Sequence, residues 1–143
     1  MKPTVLIVDD EEGIRRSLSG VLQDEGYEVE AVASGEDCLE RVTCSAVDLI
    51  LLDVWLPGMD GIETLRRLQQ QAPGTAVVMI SGHGTIETAV RAAKLGAFDF
   101  IEKPLSLDKT VLVVKNALAQ HRLARENLRL REQLQEKYRI MGE

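Results

Sequence analysis

Five short apolar runs alternate with helix-period segments over residues 4–104, and this predicts a doubly wound α/β fold: a parallel sheet with helices on both faces, joined by right-handed crossovers. Two further observations agree. The first, third and fourth runs are apolar nearly throughout, as strands covered on both sides must be. Gly or Pro also stands where helices have to stop, at Gly26, Pro73-Gly74 and Gly96.

The first strand is read at Thr4–Val8, after Met1-Lys2-Pro3. Ile14, Leu18, Val21 and Leu22 follow at spacings of three and four, which places one apolar stripe on a first helix. Glu28–Val32 is the second strand, and Leu39 with Val42 marks the second helix. Val47–Leu52 is the third strand, followed by Ile62, Leu65 and Leu68 on a third helix. Ala76–Ile80 is the fourth strand, and Ile86, Ala89, Val90 and Ala93 make the stripe of a fourth helix. Phe98–Ile101 is the fifth strand.

From Leu105 there is no Gly or Pro before Gly142, so one long helix is expected, from about Leu107 to Tyr138. Leu107, Val111, Val114 and Leu118 form a stripe suited to the sheet. Beyond them Leu123, Leu130 and Leu134 repeat on a 3-4 spacing that also takes in Asn116 and Asn127. A helix that outlasts its domain with a second stripe needs another partner, and a two-stranded coiled coil is the expected one. Residues 1–118 are therefore read as one domain and 119–143 as a linker helix.

Charge divides the chain at the same place. The 143 residues carry a formal net charge of −6, with −9 on residues 1–104 and +3 on residues 105–143. That balance argues against nucleic-acid binding by this chain, and Glu126, Glu132 and Glu136 interrupt the positive run of the tail. The longest apolar run, Ala76 to Ile80, is five residues, against the roughly 20 of a membrane-spanning helix. No signal peptide is expected, and Cys38 and Cys44 are read as packing residues in a reducing, cytoplasmic setting.

In a doubly wound sheet the working site lies beyond the carboxyl ends of the strands. Asp9 and Asp10 end the first strand and Asp53 ends the third. If those strands are neighbours, the three carboxylates converge, repel one another and call for a hard cation such as Mg²⁺. Ser81 ends the fourth strand with a hydroxyl, and Lys103 the fifth with an ammonium, the groups that would stabilise a phosphoryl charge. Singly, each has a plainer reading: Asp9 and Asp10 as helix caps, Asp53 as a loop acid, Ser81 as a turn residue, Lys103 as a solvated cation. Together those readings need five coincidences at the ends of four strands.

Leu6-Ile7-Val8-Asp9-Asp10-Glu11, Leu51-Leu52-Asp53-Val54-Trp55-Leu56-Pro57-Gly58-Met59-Asp60-Gly61, Met79-Ile80-Ser81-Gly82-His83 and Phe100-Ile101-Glu102-Lys103-Pro104 resemble the receiver domain of two-component response regulators over about residues 4–118. The resemblance implies a flavodoxin-like sheet of order 2-1-3-4-5. It makes Asp53 the phosphate acceptor, with Mg²⁺ held by Asp9 (directly or through water), Asp10, Asp53 and the backbone carbonyl of Trp55. It implies that Ser81 and Lys103 contact the phosphoryl oxygens, that Ser81 and Phe100 form the switch, that Trp55 and His83 tune hydrolysis, and that Lys103-Pro104 is cis. Phe100 stands where the family often has Tyr, so a coupling through a hydroxyl hydrogen bond is not available here.

The stretch from His83 to Pro104 is similar to the NtrC/NtrX branch of sigma-54-dependent activators. Arg125-Glu126-Asn127-Leu128-Arg129-Leu130-Arg131 resembles the linker into their AAA+ domain, and Tyr138-Arg139-Ile140-Met141-Gly142-Glu143 the opening of that domain. The implied partners are a sensor histidine kinase, a second copy of the chain through residues 107–138, and an AAA+ domain absent from this chain. The alternative is a receiver-like interaction module that is not phosphorylated.

Rival chemistries fit less well. A haloacid-dehalogenase-type phosphatase needs a second acid two residues after its Asp, where this chain has Trp55. There is no P-loop, no G-x-S-x-G around Ser81, and His83 and His121 are too isolated for a metal site. The output expected is a conformational change rather than enzymatic turnover.

Overall fold

The structure is a computed structural model that describes residues 2–82 and 85–141, without the side chains of 124, 125, 127, 128, 132 and 135–141. The readings placed on His83, Asn127 and Tyr138 to Glu143 lie outside what is described. Five strands alternate with five helices: β1 Thr4–Val8, α1 Glu12–Asp24, β2 Glu28–Val32, α2 Gly35–Cys44, β3 Leu49–Asp53, α3 Gly61–Gln71, β4 Ala76–Ser81, α4 Ile86–Lys94, β5 Asp99–Glu102 and α5 Leu107–Met141. The strands are all parallel, in the order β2-β1-β3-β4-β5. This is the flavodoxin-like order.

Alternation along each central strand builds two cores, one on each face. Val5 and Ile7, Leu49 and Leu51, and Val78 and Ile80 join Leu18, Leu22, Val114 and Ala117 of α1 and α5. Leu6 and Val8, Ile50 and Leu52, and Val77 and Met79 join Cys38, Leu39, Leu65, Leu68 and Ala92 of α2, α3 and α4. Both sets of side chains are buried, which explains why these strands read as unbroken apolar runs.

Local signals set the helix ends. Ser34, Asp60 and Thr85 each accept a hydrogen bond from the backbone N–H three residues on, capping α2, α3 and α4. Gly26 and Gly96 follow α1 and α4 with φ of 93° and 100°, a conformation that carries a steric penalty for other residues. The Lys103-Pro104 peptide is cis.

Four expectations shift. The third strand begins at Leu49 rather than Val47; Asp48 lies at its entry, where its side chain accepts the Thr4 N–H at 2.8 Å and its backbone N–H donates to the Thr4 carbonyl at 3.0 Å. It also extends to Asp53, paired with Ile80. The fifth strand begins at Asp99, although Phe98 N–H still reaches the Val77 carbonyl at 2.7 Å. On α5 the packed residues are Thr110, Val111, Val113, Val114 and Ala117, while Leu107 is 40% exposed.

The fourth shift concerns α4. Its stripe does not cover the sheet: Ile86 is 85% and Val90 45% exposed, and Ala92 is the buried residue of the helix. Small Ala92 lets the helix sit close on one face and leaves its larger apolar groups in water. No helix among the described residues is long and apolar enough to cross a membrane.

Candidate functional site

A parallel sheet delivers every strand's carboxyl end to one edge, and that is where the acids gather. Asp9 follows β1 and is fully buried, its backbone N–H held by the Val32 carbonyl at 3.2 Å. Asp10, next along, is exposed. Asp53 is the last residue of β3 and only 2% exposed. One oxygen from each of Asp9, Asp10 and Asp53 lies within 4.8 Å of the others.

Lys103 enters this cluster from the end of β5. Its backbone N–H donates to the Ser81 carbonyl at 2.8 Å, which ties the β5 exit to the end of β4. Its Nζ donates to Asp53 Oδ2 at 3.2 Å and lies 3.1 Å from Asp9 Oδ2 and 3.8 Å from Glu11 Oε1. Asp53 Oδ1 accepts the Trp55 N–H at 3.2 Å, and Asp9 Oδ1 accepts the Glu11 N–H at 2.9 Å. Asp9 Oδ2 pairs with the Lys103 ammonium, and no other group among the described residues reaches it.

These surroundings act on the charges. Burial, and then the Asp9 carboxylate, push the Asp53 carboxyl above its ordinary pKa, while Lys103 and the Trp55 N–H pull it back only in part. Burial disfavours the Lys103 ammonium, but the Asp9 and Asp53 carboxylates together outweigh it and raise its pKa. One ammonium therefore faces two buried carboxylates and a third, exposed one.

A divalent cation fits the residues present. The donors are all carboxylate oxygens, the chemistry that Mg²⁺ prefers. Asp9 Oδ2 is a buried acceptor with no partner but Lys103 among the described residues, and Asp10 opens the cluster to solvent.

Ser81 is fully buried at the end of β4. Phe100 lies on β5, half-buried against the core shared with α3 and α4. Trp55 touches the cluster through its backbone, while its indole side chain is 60% exposed. A separate cleft of about 690 Å³ lies by the amino ends of the strands, between Tyr27, Asp48, Leu118 and Arg122, and shares none of these acids.

Three residues near the cluster have roles that the reading of the sequence did not assign, although Glu11 and Gly61 stand in the motifs quoted above. Arg15 donates to the Asp9 carbonyl at 2.8 Å and braces the turn that carries both aspartates. Glu11 directs its carboxylate toward Lys103 and makes no side-chain cap on α1. Gly61 lies under the end of β3: a Cβ there would sit 2.1 Å from the Asp53 carbonyl oxygen. Only Gly61 left a signal, as the glycine after the capping Asp60.

The family model for the response regulator receiver domain matches residues 5–115. The nitrogen assimilation regulatory protein NtrX of Azorhizobium caulinodans is 43% identical over 144 residues, covering 99% of this chain and 32% of that protein. The crystal structure of NtrX from Brucella abortus superposes with a TM-score of 0.85 at 44% identity, over 91% of this chain and 30% of that one. The solution structure of the beryllofluoride-activated NtrC4 receiver domain dimer superposes with a TM-score of 0.79 at 37% identity, over 82% of this chain and 98% of that one. The chain spans about a third of the length of the curated NtrX proteins it matches.

Proposed function

The chain belongs to the response regulator receiver domain family, and from that premise we propose that it takes a phosphoryl group from a sensor histidine kinase onto Asp53. The observation that carries this reading is the nearly buried Asp53 carboxylate, set against Asp9, Asp10 and the Lys103 ammonium on one edge of the sheet. A carboxylate oxygen of Asp53 attacks the phosphorus of a phosphohistidine. An O–P bond forms, the N–P bond breaks, and the imidazole leaves with the electron pair and takes up a proton.

Asp9, Asp10, Asp53 and the backbone carbonyl of Trp55 would hold Mg²⁺, which when bound supplies positive charge against the phosphoryl oxygens. Lys103 supplies a second positive charge and Ser81 a hydroxyl donor. Trp55 tunes hydrolysis of the phosphoryl group in this reading, as does His83, which lies outside the described residues.

A phosphoryl group of about −1.5 to −2 charge draws Ser81 and Lys103 toward it. Movement of Ser81 frees space that Phe100 takes up, and the change reaches the face made by α4, β5 and α5. Residues 1–118 act as the receiver and residues 119–143 as a linker that pairs two chains through 107–138. In a full-length protein of the NtrC/NtrX branch the linker leads to an AAA+ domain that drives sigma-54-dependent transcription in the cytoplasm. The receiver is a regulatory switch, and its self-catalysed phosphoryl uptake and loss serve that role.

The test is intact mass after incubation with acetyl phosphate and Mg²⁺. One phosphoryl mass is expected with the metal and none with excess chelator. No mass gain under either condition would leave a receiver-like module used for binding alone.

A further inference from the structure

We infer that Lys103 and Glu11 together set the metal affinity of the acid cluster, with Lys103 as its built-in competitor and Glu11 as the residue that takes up the displaced ammonium. The inference rests on the metal reading given above and concerns two side chains which that reading leaves without a part in metal binding.

The Lys103 ammonium occupies the cluster by direct contact, 3.1 Å from Asp9 Oδ2 and 3.2 Å from Asp53 Oδ2. Both carboxylates are buried, so their charges are poorly screened and the ammonium answers a real electrostatic need. Both carboxylates hold the ammonium at nearly the same distance. Asp9 Oδ2 has no further partner among the described residues, so it is the oxygen that keeps bonding capacity for a cation.

A cation bound at Asp9 Oδ2 would repel the ammonium beside it, so loading of the cluster favours withdrawal of Lys103 from Asp9. It cannot withdraw into solvent at no cost, because its side chain is only 16% exposed. Glu11 stands on the outward side, with Oε1 3.8 Å from Nζ and its own side chain 62% exposed. That carboxylate is not committed elsewhere: Glu11 precedes α1 as its N-cap yet makes no side-chain capping bond. Its backbone is anchored by the 2.9 Å bond from its N–H to Asp9 Oδ1, so it stays beside the cluster. The pair Lys103–Glu11 is loose before loading and tightens when Lys103 leaves Asp9.

The consequence is a coupling with a fixed sign. Removing the ammonium removes the competitor and tightens the metal. Removing the Glu11 charge weakens the metal, because Lys103 then has less to gain by moving. That second effect must disappear once Lys103 is gone.

The test is a Mg²⁺ titration of the full 143-residue chain by calorimetry, with Trp55 fluorescence as the second readout. It compares the wild type, Lys103→Met, Glu11→Gln and the double variant, with Lys103→Gln as a second neutral replacement. Lys103→Met and Lys103→Gln are expected to bind Mg²⁺ about tenfold tighter or more, as expected when a charge about 3 Å from two ligand oxygens is removed. Glu11→Gln is expected to weaken binding about two- to fivefold, the range for a partly exposed charge pair, and to have little further effect in the Lys103→Met background. Unchanged or weaker binding in both Lys103 variants would overturn the inference. So would an equal Glu11→Gln loss with and without Lys103, since Glu11 would then act only as a general negative charge. If the wild type itself binds no Mg²⁺, the metal reading fails first and the inference falls with it.

Discussion

Asp53 carries the chemistry proposed for this chain, and in the metal-free domain burial and the neighbouring Asp9 carboxylate both make its ionised form unfavourable. An acid whose folded pKa is raised adds stability that is fully present below its unfolded pKa and is lost as pH rises through the folded value. At neutral pH without metal the Asp53 charge therefore opposes folding, and Asp53→Asn should raise the thermal midpoint measured in chelator. Each kcal/mol so gained shifts the midpoint by about 3–4 °C in a domain of this size. The gain should shrink as pH falls toward about 4, where the wild-type acid becomes protonated in both states. Added Mg²⁺ should stabilise the wild type more than the variant. Gly61 supports the same residue from below: Gly61→Ala brings a methyl group onto the Asp53 carbonyl and the Val54 backbone. Urea unfolding should show a loss of about 1–3 kcal/mol or more, the cost of overpacking a well-filled site.

Strand ends, helix stripes and glycine stops were legible as sequence, because each follows from a local period or a steric rule. Asp9, Asp53, Ser81 and Lys103 could be placed on one sheet edge because parallel strands end together. The α4 stripe could not be assigned to core or solvent, since a period of 3.6 says that a helix has two faces but not which one a neighbour covers. Leu107 was misjudged for a related reason: Thr110 and Val113 join Val111 in facing the sheet, which turns the first residue of α5 outward. The contacts of Arg15 and Glu11 were not legible, because their partners are set by the fold rather than by spacing.

Beyond the sheet, α5 shows Leu123 60%, Leu130 51% and Leu134 59% exposed, so this second stripe is not covered by the described part of the chain. If it pairs two chains, sedimentation should give a dimer for residues 1–143. Replacement of Leu123 and Leu130 by Glu should give a monomer of unchanged helix content that still takes a phosphoryl group. A chain that is monomeric at high micromolar concentration, phosphorylated or not, would leave the linker unpaired.

Across the whole molecule, the site and the exposed α4 face are joined through β4 and β5. Ser81 is buried at the end of β4, Lys103 is tied to it by a backbone bond, and Phe100 pairs with Met79 two residues back along the strands. Hydrogen exchange over residues 85–103 should change on phosphorylation if the charge is read out along this path. Ser81→Ala should still be phosphorylated but show a smaller change there, and a response confined to the β3–α3 loop would place the readout elsewhere. All of this depends on where the phosphoryl group goes. The most direct measurement is reduction of the acetyl-phosphate-treated chain with borohydride, which converts an aspartyl phosphate to homoserine, followed by peptide mapping by mass spectrometry. Conversion at Asp53 alone, dependent on Mg²⁺ and absent from Asp53→Asn, is the expected result; conversion at another acid in the wild type would contradict Asp53 as the acceptor.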